Sequence, residues 1–417
     1  MDILEDLKYR GLINQAINLE GLKKRLKKGK LVLYCGFDPT AQSLHIGNLL
    51  PLITLKRFQM ANHQPIILIG GGTGLIGDPS GKKTERPLNS LAIVKKWKKG
   101  IQEQVKNIFR ASKNPALFVD NYEWLGKVKT IDFLRDIGKY FTVPYMLAKE
   151  SIKNRLESGI SFTEFSYMIL QAFDFYYLCQ KYNCELQIGG SDQWGNITAG
   201  AELIKKKLNK EVFGLSIPLV TKADGTKFGK TEVGTIWLDS QLTSPYQFYQ
   251  FWVNVDDSDV INYLKLFTFS PKEEIEKLAR KIKEQPEKRE AQKILAFEVT
   301  ALVHGEKEAK EVEKISQTLF YGNLKDLSKR ELKIVFSGVQ FTKIVSVSEI
   351  SILDLLVSCG AVSSKRQARE ELKNGTIFIN GRRRQGEEEK IYREDCFFKK
   401  YLIIKRGKRN YYFALWK

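Results

Sequence analysis

Two apolar runs, separated by a stretch with helical spacing, define how the chain begins to fold. The first run, 31–34, reads as a buried strand that ends at Gly36, and a helix is expected to open near His45. The second run, 65–70, follows that helix. Strand, helix and strand at this spacing predict a βαβ unit, which implies a parallel sheet with a right-handed crossover.

The alternation of strands and helices continues to about residue 235. Apolar residues at helical spacing predict further helices, and short apolar runs predict further strands. The predicted helices cover 1–30, 90–112, 130–157 and 162–175, and the predicted strands cover 117–120, 185–188 and 215–220. We therefore expect residues 1–235 to form a doubly wound α/β domain.

The rest of the chain has a different pattern. Residues 236–325 show helical periodicity and are expected to form an all-helical domain, which a linker over 326–349 follows. Residues 350–417 combine an amphipathic helix, a basic helix and a strand that ends in a tight turn, as in a small α+β domain. Because 417 residues are too many for one ordinary core, these changes of pattern predict three domains.

Composition narrows the class of protein. No apolar run approaches the length of about 20 residues that a membrane-spanning helix needs. The N-terminus carries acids where a signal peptide carries bases, so we expect a cytoplasmic protein that has no membrane partner. The five cysteines are scattered and include no CxxC pair, so neither a disulfide framework nor a protein-held metal is expected.

The charge balance favours a polyanionic partner. The formal net charge is +20, and residues 350–417 alone hold 16 Lys and Arg against 8 Asp and Glu. Lysines on solvated helix faces explain part of this excess. The concentration of positive charge near the C-terminus nevertheless favours a nucleic-acid surface there.

The helix expected to open near His45 would create an anion site. The N–H groups of its first turn have no intrahelical partners, and the helix dipole adds positive potential. Gly47 would let a flat ligand lie close to the backbone, and His45 and Asn48 supply hydrogen-bond donors. The turn before this helix contains Asp38 and Thr40.

A glycine-rich loop, 70–83, follows the second predicted strand. Its residues 72–77 match the pattern GxGxxG, but the sequence Asp-Pro-Ser-Gly that follows would break any helix, which disfavours nicotinamide binding. A phosphate loop into which Lys82 and Arg86 reach fits the sequence better. A plain surface loop is the alternative.

Polar residues also share one face of the predicted helix 162–175. Tyr167, Gln171 and Asp174 are spaced i, i+4, i+7 amid apolar neighbours. This polar stripe indicates either a lined pocket or an ordinary solvated face, and the spacing alone does not choose between them.

Two more segments follow predicted strands. Asp192 and Gln193 come after the strand 185–188, at the edge where α/β sheets bind ligands, although Asp192 could equally be a helix N-cap. The loop after the last strand carries Lys227 and Lys230, three residues apart. Two ammonium groups on such a loop suit the charge that develops on a leaving pyrophosphate.

These motifs resemble those of a known family. Residues 45–48, His-Ile-Gly-Asn, resemble the HIGH signature of class I aminoacyl-tRNA synthetases, and the flanking residues 34–40 resemble the tyrosyl enzymes in particular. Residues 227–231, Lys-Phe-Gly-Lys-Thr, resemble the KMSKS loop in its tyrosyl form. Asn48 stands where many members have histidine, and since an amide can still donate a hydrogen bond, we expect an altered strength and not a loss of function. The resemblance to bacterial tyrosyl-tRNA synthetases covers nearly the whole chain.

The resemblance implies a fold and a reaction. It implies a Rossmann-like catalytic domain over 1–235, a helical anticodon-side domain over 236–325 and an S4-type RNA-binding domain over 350–417, assembled as a homodimer. The chain would activate L-tyrosine with ATP, with Mg²⁺ on the phosphates, and would transfer the tyrosyl group to tRNA(Tyr). Positioning and stabilisation of phosphate charge would supply most of the rate enhancement.

The resemblance also implies roles for single residues. Tyr34 and Asp174 would bind the phenol of tyrosine, Asp78, Tyr167 and Gln171 its ammonium group, and Gln193 its carbonyl. Cys35, Asn48 and Asp192 match ribose positions, and Gly36, Asp38, Gly47 and Lys230 also belong to the expected ATP-binding set. The groups expected around the phosphates are Thr40, His45, Lys82, Arg86, Lys227, Lys230 and Thr231. In the C-terminal domain the expected RNA contacts are Lys365, Arg366, Arg369, Lys373, Arg382, Arg383 and Arg384.

Two alternatives stay open. A tryptophanyl-type synthetase shares the fold class, but it usually lacks an S4 tail and should not present the Tyr34 and Asp174 pair. A non-catalytic RNA-binding or splicing protein built on a synthetase frame would keep the basic C-terminal region and would tolerate the loss of His45 and Lys230. Amino-acid-dependent exchange between ATP and pyrophosphate would separate the three possibilities.

Overall fold

The computed structural model describes residues 2–81, 88–110, 114–157, 159–221, 223, 225, 228–231, 234–337, 339, 341–344, 348–407 and 410–417, with only the backbone described at 230, 231, 320 and 321. The chain separates into two compact units. One consists of Met1–Asp239 and Val255–Leu295, and the other of Ser240–Asn254 and Ala296–Lys417.

Helices and strands alternate through the first 239 residues, as the hydrophobic pattern predicts. In chain order they are α1 (Ile3–Tyr9), β1 (Gln15–Ile17), α2 (Leu19–Leu26), β2 (Val32–Phe37), α3 (Ile46–Met60), β3 (Gln64–Ile69), α4 (Leu91–Ile108), β4 (Leu117–Asp120), α5 (Tyr122–Leu125), α6 (Thr130–Asp136), α7 (Val143–Leu147), α8 (Glu150–Leu156), α9 (Phe162–Tyr182), β5 (Cys184–Gly190), α10 (Trp194–Leu208), β6 (Phe213–Ile217), β7 (Lys230–Thr231) and β8 (Gly234–Thr235).

Helices dominate the next part of the chain, and strands return near the C-terminus. These elements are α11 (Pro245–Val253), α12 (Asp257–Phe267), α13 (Lys272–Glu284), α14 (Glu290–His304), α15 (Glu306–Tyr321), α16 (Lys329–Ser337), β9 (Thr342–Ile344), β10 (Glu349–Ser351), α17 (Ile352–Ser358), α18 (Lys365–Lys373), β11 (Ile377–Ile379), β12 (Arg382–Arg384), β13 (Lys390–Tyr392), β14 (Tyr401–Arg406) and β15 (Asn410–Trp416). No described helix combines the length and the apolar character that crossing a bilayer requires.

The first unit is built on a sheet whose strands lie in the order β1-β6-β5-β2-β3-β4. The strands from β6 to β4 are parallel, and α3 and α10 are among the helices that connect them. The chain runs outward from β2 through β3 to β4 on one side, and from β5 to β6 on the other. The strand order therefore reverses between β2 and β5, and the crevice at their carboxyl ends is where such sheets bind ligands. This confirms the predicted α/β fold class.

The N-terminal segment differs from its prediction in one respect. Residues 1–30 are not all helical, because β1 pairs antiparallel with β6 and places Gln15 opposite Ser216. The Ser216 hydroxyl accepts the Gln15 N–H at 3.1 Å. Helical spacing in the sequence did not reveal this edge strand, because its partner lies some 200 residues away in the chain.

Helix α9 forms the centre of the packing beside the site. One side contributes Phe175 and Leu178 to a buried cluster that also contains Tyr34 and Trp124. The helix also joins a second cluster with residues such as Ile137 and Met146, which belong to the short helical segments predicted over 130–157. Tyr167 and Asp174 of the predicted polar stripe are buried and Gln171 is half-buried, so the stripe does not face bulk solvent.

The second unit ends in a small mixed domain. Its five-stranded sheet has the order β12-β11-β14-β15-β9, with α17 and α18 packed together over a core that includes Leu355, Leu372 and Trp416. The predicted basic helix, its end near Gly375 and the strand that follows are confirmed as α18 and β11.

The predicted domain boundaries remain predictions, but the region of the predicted linker contains regular structure. The segment 326–349 includes α16 and β9. Leu332, Val335 and Phe336 recur at helical spacing in α16, and all three are buried. The region 236–325 is helical as predicted, and its residues are divided between the two units.

Candidate active site

A pocket with a buried polar end lies beside β2. Tyr34 is only 1 % exposed, and its ring lies 5.3 Å from that of Phe175. Its hydroxyl is buried and has no hydrogen-bond partner among the described residues. The side-chain carbonyl of Gln187, on the neighbouring strand β5, is likewise buried and unpaired there. Because an unpaired buried polar atom is costly, these atoms indicate room for a ligand that can hydrogen-bond to them.

Asp174 supplies a buried carboxyl group to this pocket. It is 1 % exposed, and its two oxygens accept hydrogen bonds from Asn121 Nδ2 at 2.9 Å and from Trp124 Nε1 at 2.8 Å. The Trp124 ring stacks on Tyr177 at 4.4 Å, which holds the indole in place. The sequence identified Asp174 but neither of its partners. Asn121 directly follows the carboxyl end of β4, and because α/β sheets bind ligands at the carboxyl ends of their strands, this position could have indicated it.

Burial governs the ionisation of the pocket. It raises the pKa of Asp174 to about 8, against the opposing effect of the hydrogen bonds from Asn121 and Trp124. Burial, with a further contribution from the Asp174 carboxylate, also keeps the pKa of Tyr34 well above its ordinary value. Tyr34 is therefore a neutral hydroxyl that can both donate and accept at neutral pH.

A chain of hydrogen bonds leads from Asp174 to the mouth of the pocket. Asn121 donates to Thr73 Oγ1 at 2.9 Å, and Thr73 donates to Asp38 Oδ1 at 2.6 Å. Tyr167 in turn donates to Asp38 Oδ2 at 2.7 Å. Asp38 thus joins the loop after β3 to α9, because its two carboxylate oxygens accept hydrogen bonds from Thr73 and Tyr167.

A second set of hydrogen bonds joins the glycine-rich loop to the end of β5. Gln193 Nε2 donates to Asp78 Oδ2 at 2.6 Å, and Gln193 Oε1 accepts from Asn196 at 3.1 Å. Asn196 also donates to Gln171 Oε1 at 3.0 Å. Three predicted site residues, Asp78, Gln171 and Gln193, are thereby brought together. Asn196, one turn into α10, links them and was missed.

Glycines allow the backbone to approach these carboxylates. A Cβ atom at Gly70 would lie 1.8 Å from Asp38 Oδ1, and one at Gly190 would lie 2.4 Å from Asp192 Oδ1. The Gly189-Gly190 pair is the end of β5, and a 3₁₀ turn over Ser191–Gln193 follows it. Gly70 therefore serves close packing around Asp38.

The N-terminus of α3 is closed by its own side chains. His45 is the N-cap and is exposed, and its Nδ1 accepts the Gly47 N–H at 3.0 Å. Asn48 Oδ1 accepts the His45 N–H at 3.1 Å, which completes a reciprocal capping box. A neutral imidazole that accepts at Nδ1 carries its proton on Nε2, so His45 can present a donor to an anion.

Gly47 has a structural role that the sequence did not reveal. A Cβ there would lie 2.9 Å from His45 Cε1, so the glycine makes room for the capping imidazole of its own helix. Gly47 is exposed at the helix N-terminus, and its predicted close approach to a flat ligand stays a prediction.

The segment before α3 pairs with the segment after β8. Ile46 N–H donates to Ile236 O at 2.9 Å, and Leu238 N–H donates to Leu44 O at 2.9 Å. His45 stands opposite Trp237 in this short pairing, and their rings lie 6.4 Å apart. The first signature segment therefore pairs with residues that closely follow the second signature in the chain.

Gln104 on α4 holds both strands of this pairing. Its Oε1 accepts from Leu44 N at 3.1 Å and from Ser43 Oγ at 3.2 Å, and its Nε2 donates to Asp239 at 3.4 Å. Nothing in the sequence marked Gln104, because a glutamine on an amphipathic helix is ordinarily solvated. The three-dimensional contacts alone identify it.

The lysine-bearing loop is anchored at both ends of its described part. Phe228 stacks on Phe267 at 5.3 Å. Gly229 has a φ of +80°, and a Cβ there would lie 2.5 Å from Ile46 Cγ2. The backbone of Lys230 pairs with Thr235, directly before the segment that binds Ile46. The backbone around Gly229 and Lys230 therefore lies beside the start of α3. The side chains of Lys230 and Thr231, and the residues Lys82, Arg86 and Lys227, lie outside the described part.

The remaining predicted nucleotide residues lie at the end of β2 and in the segments that follow β2 and β5. Burial raises the pKa of the Cys35 thiol to about 12, and the Asp192 carboxylate adds to this effect, so the two residues are neighbours. Gly36 and Thr40 are exposed at the end of β2 and in the loop after it. Cys35 is thus a neutral thiol, suited to hydrogen bonding and not to nucleophilic chemistry.

The predicted RNA-binding residues of α18 form an exposed row. Lys365, Arg366, Arg369 and Lys373 are exposed, while Leu372 of the same helix is buried. Lys365 forms an ion pair with Asp354 at 2.6 Å, and Arg369 forms one with Glu387 at 3.3 Å. Because these pairs are exposed, they cost little to exchange for phosphates.

The three arginines of β12 divide into two kinds. Arg382 is exposed, and Arg383 is exposed while donating from Nε to Gly375 O at 2.8 Å. Arg384 is half-buried and forms an ion pair with Glu389 at 2.9 Å. Arg384 is therefore engaged within the domain, and its contact with RNA stays a prediction.

Comparison with protein families gives two matches. Residues 26–321 match the model described as tRNA synthetases class I (W and Y). Residues 331–414 match the model described as the tyrosine–tRNA ligase SYY-like C-terminal domain. The two matched regions together span most of the chain.

Similar proteins extend over the full length. The chain is 55 % identical over 420 residues to tyrosine–tRNA ligase 1 of Bacillus subtilis, with all of both chains covered. It is also 55 % identical over 415 residues to the tyrosine–tRNA ligase of Geobacillus stearothermophilus, with 99 % of each covered.

Solved structures share the fold. A C-terminally truncated mitochondrial tyrosyl-tRNA synthetase of Aspergillus nidulans superposes with a TM-score of 0.69 at 32 % identity, covering 76 % of this chain and 94 % of that one. The tryptophanyl-tRNA synthetase of Plasmodium falciparum gives a TM-score of 0.54 at 16 % identity, covering 79 % and 87 %. The second likeness bears on the fold alone.

Proposed function

The chain belongs to the class I tyrosyl-tRNA synthetases and is a tyrosine–tRNA ligase, and on this premise we propose which of its residues carry out each part of the reaction. The observation that supports the assignment best is the buried Tyr34 hydroxyl, which has no partner among the described residues. It lies in the same buried cluster as Trp124, the residue that orients the Asp174 carboxylate. A phenol would satisfy the hydroxyl and the carboxylate at once.

We propose that the substrate phenol donates to Asp174 and accepts from Tyr34. Asn121 and Trp124 fix the two carboxylate oxygens, so the acceptor is oriented before the substrate arrives. Phenylalanine would leave both groups unpaired in a buried site, and that penalty is the source of specificity.

The amino and carboxyl ends of tyrosine are assigned to the second hydrogen-bonded set. Asp78 carries the negative charge for the ammonium group, and Gln171 and Tyr167 complete its surroundings. Gln193, which donates to Asp78, is assigned to the substrate carbonyl. Asn196 acts as a positioning residue, because it bonds to both Gln171 and Gln193.

We propose that ATP enters as its magnesium complex and lies across the crevice between β2 and β5. Cys35, Asn48 and Asp192 would contact the ribose, beside Gly36 and Gly47. The phosphates would meet Thr40 and His45, and the side chains of Lys82, Arg86, Lys227, Lys230 and Thr231 would complete their charge neutralisation. Asn48 can donate through Nδ2 while its Oδ1 caps α3.

The chemistry follows from this arrangement. A carboxylate oxygen of tyrosine forms a bond to the α-phosphorus as the bond to the pyrophosphate oxygen breaks. In the second step a terminal ribose hydroxyl of tRNA(Tyr) attacks the tyrosyl carbonyl, and AMP leaves. Neither step needs an ionised protein base, so the contribution of the residues is alignment and stabilisation of developing negative charge.

The C-terminal domain is proposed to hold tRNA(Tyr). Its exposed row on α18 and the exposed Arg382 and Arg383 supply cations that can neutralise phosphates. Recognition of a folded RNA by such a surface depends on shape and charge more than on sequence. We also propose a cytoplasmic location, since the charged tRNA is used in protein synthesis there.

We propose a homodimer that uses the apolar surface of α6 to α9. Ile131, Val143 and Phe162 are 73 %, 59 % and 76 % exposed, which is costly for a surface in water. Their elements share one core that includes Ile137 and Met168, so these side chains belong to one layer. Sedimentation equilibrium should give twice the chain mass, and Phe162→Glu should shift the equilibrium towards monomer.

The reaction is tested by ATP–pyrophosphate exchange with each of the twenty amino acids. Tyrosine alone should support exchange, and a tRNA(Tyr) transcript should then be charged. Exchange with tryptophan instead would indicate a tryptophanyl-type enzyme. Binding of tRNA without any exchange would indicate a non-catalytic RNA-binding protein and would contradict the assignment of the pocket.

A further inference from the structure

An exposed aromatic residue occupies an unusual backbone conformation in the C-terminal domain. Phe398 has a φ of 52° and Lys399 a φ of 54°, so two successive residues with full side chains are left-handed. Phe398 is 51 % exposed. A left-handed conformation is strained for a bulky residue, and strained positions that persist are concentrated at functional sites.

The turn that contains Phe398 is tightly specified by hydrogen bonds. Phe397 O accepts from Lys400 N at 3.1 Å and from Tyr401 N at 3.0 Å. The two central residues of such a turn are ordinarily Asn and Gly, which adopt positive φ without strain. Here Phe and Lys stand at those positions, so the turn keeps two long side chains where the backbone favours short ones.

The turn is fixed to the basic hairpin of the same domain. Arg393 Nε donates to Lys399 O at 3.3 Å. Asn380, at the turn between β11 and β12, donates to Asp395 O at 2.8 Å and accepts from Ile403 N at 2.9 Å. The Phe398 turn therefore lies at the end of the sheet from which the exposed Arg382 also projects.

The charge around Phe398 is mainly positive. Arg393, Lys399 and Lys400 are exposed, and Glu394 is the exposed acid in this stretch. The second acid, Asp395, is half-buried, accepts from Tyr392 N at 2.9 Å and lies 3.8 Å from Arg384. An exposed ring flanked by cations on a rigid turn is the arrangement that proteins use to stack on an unpaired base while holding its phosphates.

We propose that Phe398 stacks on an unpaired nucleotide of the bound tRNA and that Lys399 and Lys400 hold the adjoining phosphates. This inference rests on the proposed binding of tRNA(Tyr) by the C-terminal domain and adds a contact outside the basic helix and hairpin. The strained turn keeps the ring in place before binding, so little ordering is needed when the base arrives.

The test uses the full-length enzyme and an in vitro transcript of Bacillus subtilis tRNA(Tyr). Phe398→Asn removes the ring but suits a positive φ, so the turn should stay folded and the melting temperature should not fall. We expect this variant to raise the Kd for the transcript by about tenfold, which lies within the range that stacking on a single base supplies. Phe398→Tyr and Phe398→Trp should bind like the parent enzyme. Tyrosine-dependent ATP–pyrophosphate exchange, which needs no tRNA, should be unchanged in all three.

The outcomes separate the inference from the function on which it rests. If the parent enzyme binds the transcript and Phe398→Asn binds it equally well, stacking by Phe398 is wrong and the proposed function stands. If the parent enzyme does not bind the transcript, the proposed function itself fails. A loss that Tyr and Trp do not restore, or one accompanied by loss of exchange, would show a structural role and overturn the inference. Chemical probing should show an unpaired nucleotide that the parent enzyme protects and Phe398→Asn does not.

Discussion

The proposed tyrosine pocket and the proposed tRNA surface of the C-terminal domain differ in how their polar groups are placed. In the pocket, Asp174 and Tyr34 are almost completely buried, and other side chains hold the carboxylate in place. On α18, Lys365 and Arg369 are exposed and form ion pairs with acids that are also exposed. The first region relies on a few polar groups in a low-dielectric space, and the second on many cations in water.

This difference predicts how strongly each region should respond to a single change. A buried polar group left without its partner costs the full desolvation penalty, whereas an exposed cation contributes a fraction of that amount. The pocket should therefore fail at single substitutions. The C-terminal surface should lose affinity gradually, and its losses should depend on salt.

The largest effect is expected at Asp174. Asp174→Ala should lower kcat/KM for tyrosine in pyrophosphate exchange by roughly 100-fold, because it removes a charged acceptor and leaves the phenol unpaired. The KM for ATP should change much less. Tyr182→Phe, which alters a tyrosine packed against the same core cluster, is the matched control and should leave both constants close to those of the parent. Unchanged tyrosine-dependent exchange in Asp174→Ala would refute the pocket.

A smaller effect is expected at Gln104, which touches neither substrate. Gln104→Ala should lower kcat for exchange by about tenfold, since it removes the hydrogen bonds that hold Leu44 and Asp239 in register. The KM for tyrosine should stay constant, because the pocket is built from other elements. Gln102→Ala on the same helix is the control. Equal losses in kcat and in tyrosine affinity would show that Gln104 acts only through general stability.

The pH dependence of tyrosine binding should reflect Asp174. With a pKa of about 8 in the free enzyme, most of the carboxyl is protonated at pH 7. The ionised form is the better acceptor for a phenol, so kcat/KM for tyrosine should rise by about fivefold between pH 7 and pH 8. Substitution by asparagine should remove this rise. A flat profile in the parent enzyme would show that burial does not control this group.

The same pKa has a consequence for the stability of the free enzyme. Because the folded pKa lies above the ordinary value of 3.8, the native state binds more protons than the unfolded state between these pH values. The contribution of Asp174 to the unfolding free energy therefore falls as pH rises from about 4 to about 8. Denaturant titrations of the parent enzyme and Asp174→Asn at several pH values should differ in this direction.

The smallest effects belong to the C-terminal cations. Arg382→Ala or Lys365→Ala should each weaken tRNA binding by about two- to threefold. Each should also reduce the slope of log K against log salt by about 1, as expected for the loss of one phosphate contact. Lys314→Ala, which removes an exposed lysine far from the C-terminal sheet in sequence, is the control. A loss above about 30-fold from one of these changes would mean that a single side chain dominates binding at this surface, as is expected in the buried pocket.

The sequence predicted the fold well where local patterns suffice. Helix α3 with His45 as its cap, the strand β4 and the basic helix α18 follow from periodicity and capping residues. The edge strand β1 was missed because its three residues gain their conformation from a partner far along the chain. Local preference is a weak guide where tertiary pairing decides.

The site was predicted unevenly for a similar reason. Side chains that are proposed to meet the substrate, such as Tyr34 and Asp174, stand in motifs that family resemblance can identify. Asn121, Asn196 and Gln104 act on other side chains, and such contacts follow only from the three-dimensional arrangement. Single-sequence reasoning therefore identifies the groups that bind a substrate sooner than the groups that orient them.

The pairing of residues 44–46 with residues 236–238 constrains the number of residues between the β7-β8 hairpin and the paired segment. One residue inserted between Thr235 and Ile236 would turn every following side chain to the opposite face and carry Trp237 away from His45. The enzyme can therefore accept changes of size elsewhere on its surface far more readily than a single added residue at this position.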